Sequence, residues 1–213
     1  MATMRGVDMP GRKASEEERR QQILTAAHWV ALRRGVDGVT VRAVADRARL
    51  SHGLVLFHFK RKEQLVVAVL DQVLAATLDL HIAEEGADGD PLERLRATLQ
   101  GEIDRLSRNP REVRLFLEYW ALGTRHAAIR ALVGAGLERY RKALLPLTEE
   151  VLAAEPARFA GVTPQGLAAV AVSFIEGCAV QSMIDPARFQ VETYLSAIRG
   201  MLGALTPVSS TTS

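Results

Sequence analysis

Between residues 15 and 58 the chain carries three residues placed to cap helices, Ser15, Thr40 and Ser51, the last two separated by a single short apolar-periodic run. A capping oxygen followed by apolar residues at i, i+3 and i+4 spacing commits the local backbone to a helix. Two short helices joined by a turn of three or four residues make a helix-turn-helix.

Ser15 with Glu18 forms a capping box, and the helix it opens is expected to run to Arg34 with Ile23, Ala26, Ala27, Val30 and Ala31 on one face. Gly35 ends it. Thr40 then starts a two-turn helix, Val41–Ala48, whose inner face is Val41, Val44, Ala45 and Ala48. A turn at Arg49-Leu50 leads to Ser51 and a third helix reaching His58. That helix contains the run Leu54-Val55-Leu56-Phe57, which covers every side of a short helix. With Val55 and Phe59 facing inward, four apart, Leu56 and Phe57 must face outward.

Helical periodicity continues through the rest, and strand-like alternation is absent over any useful length. Turn signals at 84–91, 107–110, 123–124, 155–164 and 185–189 separate further helices of about 62–83, 92–106, 111–122, 125–154, 165–183 and 191–205. Pro146 is expected to kink the longest. The fold class is therefore all-α, about nine helices in total. Residues 1–14 form a basic arm, 15–61 a three-helix head, 62–205 a helical body for ligand binding and dimerisation, and 206–213 a tail.

Charge divides along the same line. Residues 1–62 hold 13 Lys or Arg against 6 Asp or Glu, and residues 63–213 hold 14 against 19. A basic head on an acidic body points to a polyanionic partner, DNA or an acidic lipid surface. The capped second helix favours DNA: a helix of about 10–12 Å diameter fits the major groove, and its first N–H groups suit a phosphate. In this reading Ser51 caps and touches phosphate, His52 points at base edges, Gly53 permits close approach, and Lys62 anchors a flanking phosphate. The arm, with Arg5, Arg12 and Lys13, either enters the minor groove or is a disordered tail.

The segment "GVTVRAVADRA" (38–48), followed by "LSHG" (50–53), "HF" (58–59) and "KEQL" (62–65), resembles the TetR family of bacterial transcriptional repressors over about residues 19–70. Further on, "FLEYWALGTRHAAIRALVGAGLERYRKALLPL" and "FIEGCAVQSMIDPARF" are similar to the body of its BetI-like branch. The resemblance implies that Thr40 and Arg42 touch phosphate and bases from the supporting helix. It also implies that Ser51, His52, Gly53, Leu54, Leu56, Phe57 and His58 belong to the reading helix and that Lys62 is the anchoring lysine. Two positions depart from the pattern. Leu56 stands where the family often has a phosphate-binding tyrosine, and Arg49 stands where a turn glycine is usual. Arg49 is thereby expected at positive φ, at a cost of roughly 1 kcal/mol, with a phosphate contact as the compensation.

Phe116, Tyr119, Trp120, Phe174 and Glu176 are candidate effector-pocket residues, being polar or aromatic within apolar helices. A lone carboxylate inside "AVAVSFIEGCAV" must pair across a dimer, pair with an arginine, or bind a cationic ligand. Glu118 is expected to pair with Arg114 at the surface. Ala169, Ser173 and Gly177 form a small-residue stripe, and Leu195, Ile198 and Leu202 lie on the last helix. Together these suggest a four-helix dimer bundle, which the family resemblance also implies.

Other chemistry is not foreseen. His52 and His58 are six apart and diverge on a helix, while His81 and Glu84 lack further ligands, so no metal and no cofactor are expected. Gly134-Ala135-Gly136 has no preceding strand and is read as close helix packing rather than a nucleotide loop. Cys178 is read as a core residue. The N-terminus has no apolar signal region, the uncharged stretch 159–175 is short for a membrane span, and a cytoplasmic location is expected. The function expected is a homodimeric, ligand-responsive repressor released from a palindromic DNA operator by a small molecule. The alternatives are a helical enzyme or small-molecule carrier with a basic head, or a membrane-surface protein.

Overall fold

The computed structural model describes residues 15–77 and 89–203. Among them are nine helices and no strand: α1 (Glu16–Arg34), α2 (Val41–Ala48), α3 (His52–His58), α4 (Lys62–Thr77), α5 (Pro91–Ser107), α6 (Pro110–Gly123), α7 (Ala127–Ala154), α8 (Pro164–Ile184) and α9 (Val191–Gly203). The protein is all-α. Its chain divides into two compact units between Ala68 and Val69, inside α4.

The head is built from its caps. Ser15 Oγ accepts the Glu18 N–H at 3.1 Å while Glu18 Oε2 accepts the Ser15 N–H at 2.7 Å, so the capping box closes in both directions. Acidic residues occupy the first turn of α1 and Arg33 and Arg34 the last, matching its macrodipole. Gly35, at φ 72, ends the helix with its N–H on the Ala31 carbonyl. In the following loop a Cβ on Gly38 would lie 2.3 Å from that of Arg34, so glycine is required there by space alone.

Ile23, Ala27, Val30 and Ala31 of α1, Val44, Ala45 and Ala48 of α2, and Val55 and Phe59 around α3 are all buried. Removing such side chains from water is the main favourable term in holding the three helices together, since α2 and α3, at eight and seven residues, are too short to be stable alone. One polar tie adds direction: Gln22 Nε2 donates to the Ala48 carbonyl at 2.9 Å, joining α1 to the end of α2.

In the body a single apolar cluster draws on α5 to α9, including Leu99, Ile103, Val113, Leu144, Leu147, Val172, Ile175 and Cys178. Cys178 is a core residue as expected, its thiol pushed up to about 11 by burial. α7 continues as one helix through Pro146. Thr148, fully buried beyond it, donates to the Leu145 and Pro164 carbonyls at 3.0 and 3.1 Å and so ties α7 to the start of α8. Asp90 and Thr163 cap α5 and α8 with side-chain oxygens, each followed by a proline in the first turn.

Several details differ from expectation. α7 starts at Ala127 rather than Arg125, after His126, which makes no side-chain cap. Gly136 is buried, whereas a Cβ on Gly134 would meet nothing within 4 Å, so the expected close packing is not found at Gly134. α8, at 21 residues, is among the described residues the one helix long and apolar enough to cross a membrane. Its inward residues Ala168, Ala171, Val172, Ile175, Cys178 and Ala179 are buried in the body core, while Val170 and Ile184 on its other side are largely exposed. The arm, the pair His81 and Glu84, the expected end of the fourth helix beyond Thr77 and the tail lie outside the described residues.

Candidate DNA interface and body cavity

On α2 and α3 the sequence divides inward from outward residues as the period requires. Val55 and Phe59 are buried, while Leu56 and Phe57 are 44% and 63% exposed. Two apolar side chains held in water at one face of a seven-residue helix serve no packing purpose within the head. The Phe57 ring meets that of His58 edge-on, centroids 5.2 Å apart, which limits the ring's freedom. Thr40, Arg42, Arg49, Ser51, His52 and Gly53 are also exposed, and Leu54, His58 and Lys62 are half-buried.

The capping residues keep spare capacity. Ser51 Oγ accepts the Leu54 N–H at 3.2 Å and Thr40 Oγ1 accepts the Ala43 N–H at 3.1 Å, leaving each hydroxyl hydrogen to give. Arg49 caps α2 at φ 55 and ψ 46, the one non-glycine residue at positive φ among the described residues. Lys62 Nζ donates to the Asp37 carbonyl at 3.2 Å, a tie within the head that leaves further N–H groups on the ammonium.

Trp29 was not anticipated as a structural element. The guanidinium carbons of Arg47 and Arg33 lie 4.5 and 4.9 Å from its ring centroid, coupling α2 to α1 through cation–π contact. Arg33, four residues beyond Trp29 on the same helix, is the signal that could have found the contact within α1; the approach of Arg47 from α2 has none.

The body holds a cavity of about 390 Å³ of atom-free space, counting its open mouth. Of the residues expected to form an effector pocket, Phe116, Trp120 and Glu176 line it, with the Phe116 and Trp120 rings stacked at 5.9 Å. Tyr119 and Phe174 do not line it. Adjacent residues on a helix point about 100° apart, and Tyr119 is fully buried, burial raising its phenol far above the usual range. Phe174 packs instead against the body core.

Beside the cavity runs a polar chain absent from the sequence-based reading. Buried Glu102 accepts from Tyr140 Oη at 2.8 Å and from Arg105 Nη2 at 2.7 Å, and Arg105 also donates to the Thr77 carbonyl at 2.9 Å. Tyr140 and Thr77 line the cavity. Glu176 differs in kind: its Oε1 is shut off from solvent without a hydrogen-bond partner among the described residues. Burial pushes its carboxyl up to about 7, with Arg141 pulling the other way. Glu118 pairs with Arg114 at 3.9 Å, the surface pair expected.

The residues expected at a dimer interface separate into two groups. Ala169 and Gly177 are half-buried and Ser173 exposed, Val170 and Ile184 of the same helix stand 64% and 73% exposed, and Met201 of α9 stands 64% exposed. Leu195 is instead buried, and with half-buried Ile198 it borders a groove against Leu92, Leu95 and Leu99 of α5. Leu195 thus belongs to the body core, where it packs in the cluster shared with α5. The Leu202 side chain lies outside the described set. No group of three or more His, Cys, Asp or Glu placed to hold a metal occurs among the described residues.

Residues 23–69 match the family described as "Bacterial regulatory proteins, tetR family", and residues 91–207 match "BetI-type transcriptional repressor, C-terminal". A regulator named BetI from Stenotrophomonas maltophilia is 28% identical over 183 residues, 85% of this chain and 89% of that protein. Another of that name from Burkholderia ambifaria is 30% identical over 158 residues, 72% and 78% of the two chains. The crystal structure of a protein from Saccharomonospora viridis in complex with choline superposes with a TM-score of 0.68 at 20% identity, covering 90% of this chain and 98% of that one.

Proposed function

Because the chain belongs to the tetR family of bacterial regulatory proteins, and is thereby a DNA-binding transcriptional regulator, we propose that it is a homodimeric repressor released from a palindromic operator by a small molecule. Two heads place α3 in successive major grooves about 34–36 Å apart. Ser51, Thr40, Arg42 and Lys62 hold phosphates, His52 points at base edges, and Leu56 and Phe57 face the groove. The observation that carries this reading is the exposure of Leu56 and Phe57 beside buried Val55 and Phe59.

The copies join through α8 and α9, along Ala169, Ser173 and Gly177, with exposed Val170 and Ile184 supplying apolar area. The effector occupies the body cavity. α4 runs from the head unit into the body unit and ends at Thr77, which lines the cavity. A ligand that binds better when the heads are wrongly spaced shifts the population away from DNA. The protein acts by binding rather than catalysis, in the cytoplasm, with residues 15–61 as the DNA-binding domain and 62–205 as the body.

Selection of bound fragments from genomic DNA, followed by footprinting, tests this. A two-fold symmetric footprint lost on Ser51→Ala or His52→Ala substitution is expected. An asymmetric footprint, or binding indifferent to both substitutions, overturns it.

A further inference from the structure

The cavity wall is nearly all apolar, and of its hydroxyl and carboxyl groups all but that of Glu176 are already engaged. Thr77 Oγ1 donates to the Val73 carbonyl at 2.7 Å, and Tyr140 Oη donates to Glu102. Glu176 Oε1 is the exception, buried and without a partner among the described residues. It lines the cavity alongside Ile175, Ala179 and Val180 of the same helix. A carboxylate oxygen removed from water and left without a donor is unfavourable, so an occupant that supplied a donor would bind partly by ending that deficit.

The surrounding charges do not supply it. From α5, Arg105 is committed to Glu102 and to the Thr77 carbonyl. From α7, Arg141, whose charge Glu176 feels, donates to Glu138 at 3.0 and 3.2 Å, and Tyr140 faces Glu102. From α6 come Val113, Phe116, Leu117 and Trp120, which carry no charge. The stacked Phe116 and Trp120 rings offer an aromatic wall that suits both an apolar substituent and a cation.

Resting on the reading that this cavity is the effector site, we infer that its occupant is a small protonated amine bearing at least one N–H, held by Glu176 in preference to its quaternary ammonium analogue. A quaternary cation satisfies the charge of Glu176 but leaves Oε1 without a hydrogen bond. A protonated amine satisfies both. A neutral alcohol supplies the hydrogen bond without the charge. The ordering follows from the greater strength of hydrogen bonds between ionised groups. Binding is also linked to pH. With the carboxyl raised to about 7 in the empty site, a cation that favours the ionised form releases a proton on binding as pH falls below that value, so affinity weakens in that direction.

The test uses the full-length Trp29→Phe protein, in which Trp120 is the sole tryptophan. It is titrated at pH 8 with isobutylamine, cyclohexylamine and 2-phenylethylamine, each beside its trimethylammonium analogue and the corresponding alcohol. At least one amine is expected to change Trp120 fluorescence with a Kd about tenfold or more below both analogues. That advantage should fall to about one in Glu176→Gln, and amine affinity should weaken between pH 8 and 6 while the alcohol's stays flat. A trimethylammonium analogue that binds as tightly as its amine, an advantage that survives Glu176→Gln, or a Trp120 that no amine perturbs overturns the inference. The reading beneath it fails separately. Amines that bind through Glu176 yet leave affinity for a selected genomic fragment unchanged sink the effector role alone. Alcohols or quaternary cations that bind and weaken DNA affinity, without any amine advantage, sink only the amine.

Discussion

Tyr140 Oη donates to Glu102 Oε2 across 2.8 Å in the body core, and Arg105 closes on the same oxygen at 2.7 Å. Glu102 is 1% exposed, so its charge depends on those donors rather than on water. Removing one partner of a buried pair costs more than the pair gains, because the remaining charge stays desolvated. Tyr140→Phe should destabilise the protein by about 1.5–3 kcal/mol and Arg105→Ala by about 3–5 kcal/mol. Urea unfolding checks the order. Equal losses, or a larger one for Tyr140→Phe, would show that the ion pair is not what holds Glu102.

Arg49 occupies the left-handed region at φ 55 with an exposed side chain. Glycine has no Cβ to strain there, so Arg49→Gly should stabilise the protein by about 1 kcal/mol. If the guanidinium meets a phosphate, as its place in the sequence leads one to expect, the same variant binds operator more weakly and lowers the salt slope of binding by about one. Thermal unfolding and anisotropy titrations at several salt concentrations read the two effects apart. Tighter binding with an unchanged slope would refute the phosphate contact.

These caps and turns were legible because each is decided within a few residues. Ser15, Thr40 and Ser51 bond N–H groups three positions ahead, and Arg49 stands where the turn demands positive φ. The cavity was only half legible. Thr77, Tyr140 and Glu176 come from three helices separated by long stretches of chain, and nothing local announces their meeting. Tyr119 and Trp120 are neighbours in sequence but differ in burial, and apolar periodicity on α9 could not tell core Leu195 from an outer face.

Val170 and Ile184 on α8 are largely exposed in the single chain, so charges there leave its core untouched. If this face joins two copies, Val170→Asp combined with Ile184→Glu should yield a monomer of unchanged helical content. Light scattering after size exclusion measures the mass and circular dichroism the helix. Operator affinity should fall by at least about a hundredfold as two-site avidity is lost. A double variant that remains dimeric would move the interface elsewhere.

Leu56, 44% exposed on α3, lacks the hydroxyl expected at its position. Leu56→Tyr should add one phosphate hydrogen bond and tighten operator binding roughly fivefold, since such a bond contributes about 1 kcal/mol. The preferred sequence should not change, because phosphates carry no base identity. Repeating the fragment selection with the variant checks this. A changed consensus would mean that Leu56 itself reads a base, for instance a thymine methyl.

Glu176 gives the stability of the empty protein a pH dependence of a particular sign. Its carboxyl, raised by burial to about 7 from 4.5, holds a proton in the folded state that it has lost in the unfolded one. Between those values the folded state binds more protons, so this group makes stability fall as pH rises from 4.5, with the decline complete above 7. Glutamine has nearly the same shape and no charge. The difference in melting temperature between Glu176→Gln and the parent should therefore be small near pH 5, grow toward pH 7 and level off beyond it. A given concentration of an amine of the preferred class should shrink the difference at pH 8 by stabilising the parent more than the variant. A difference that is flat across this range would mean that Glu176 is paired in solution, across the dimer or with Arg141.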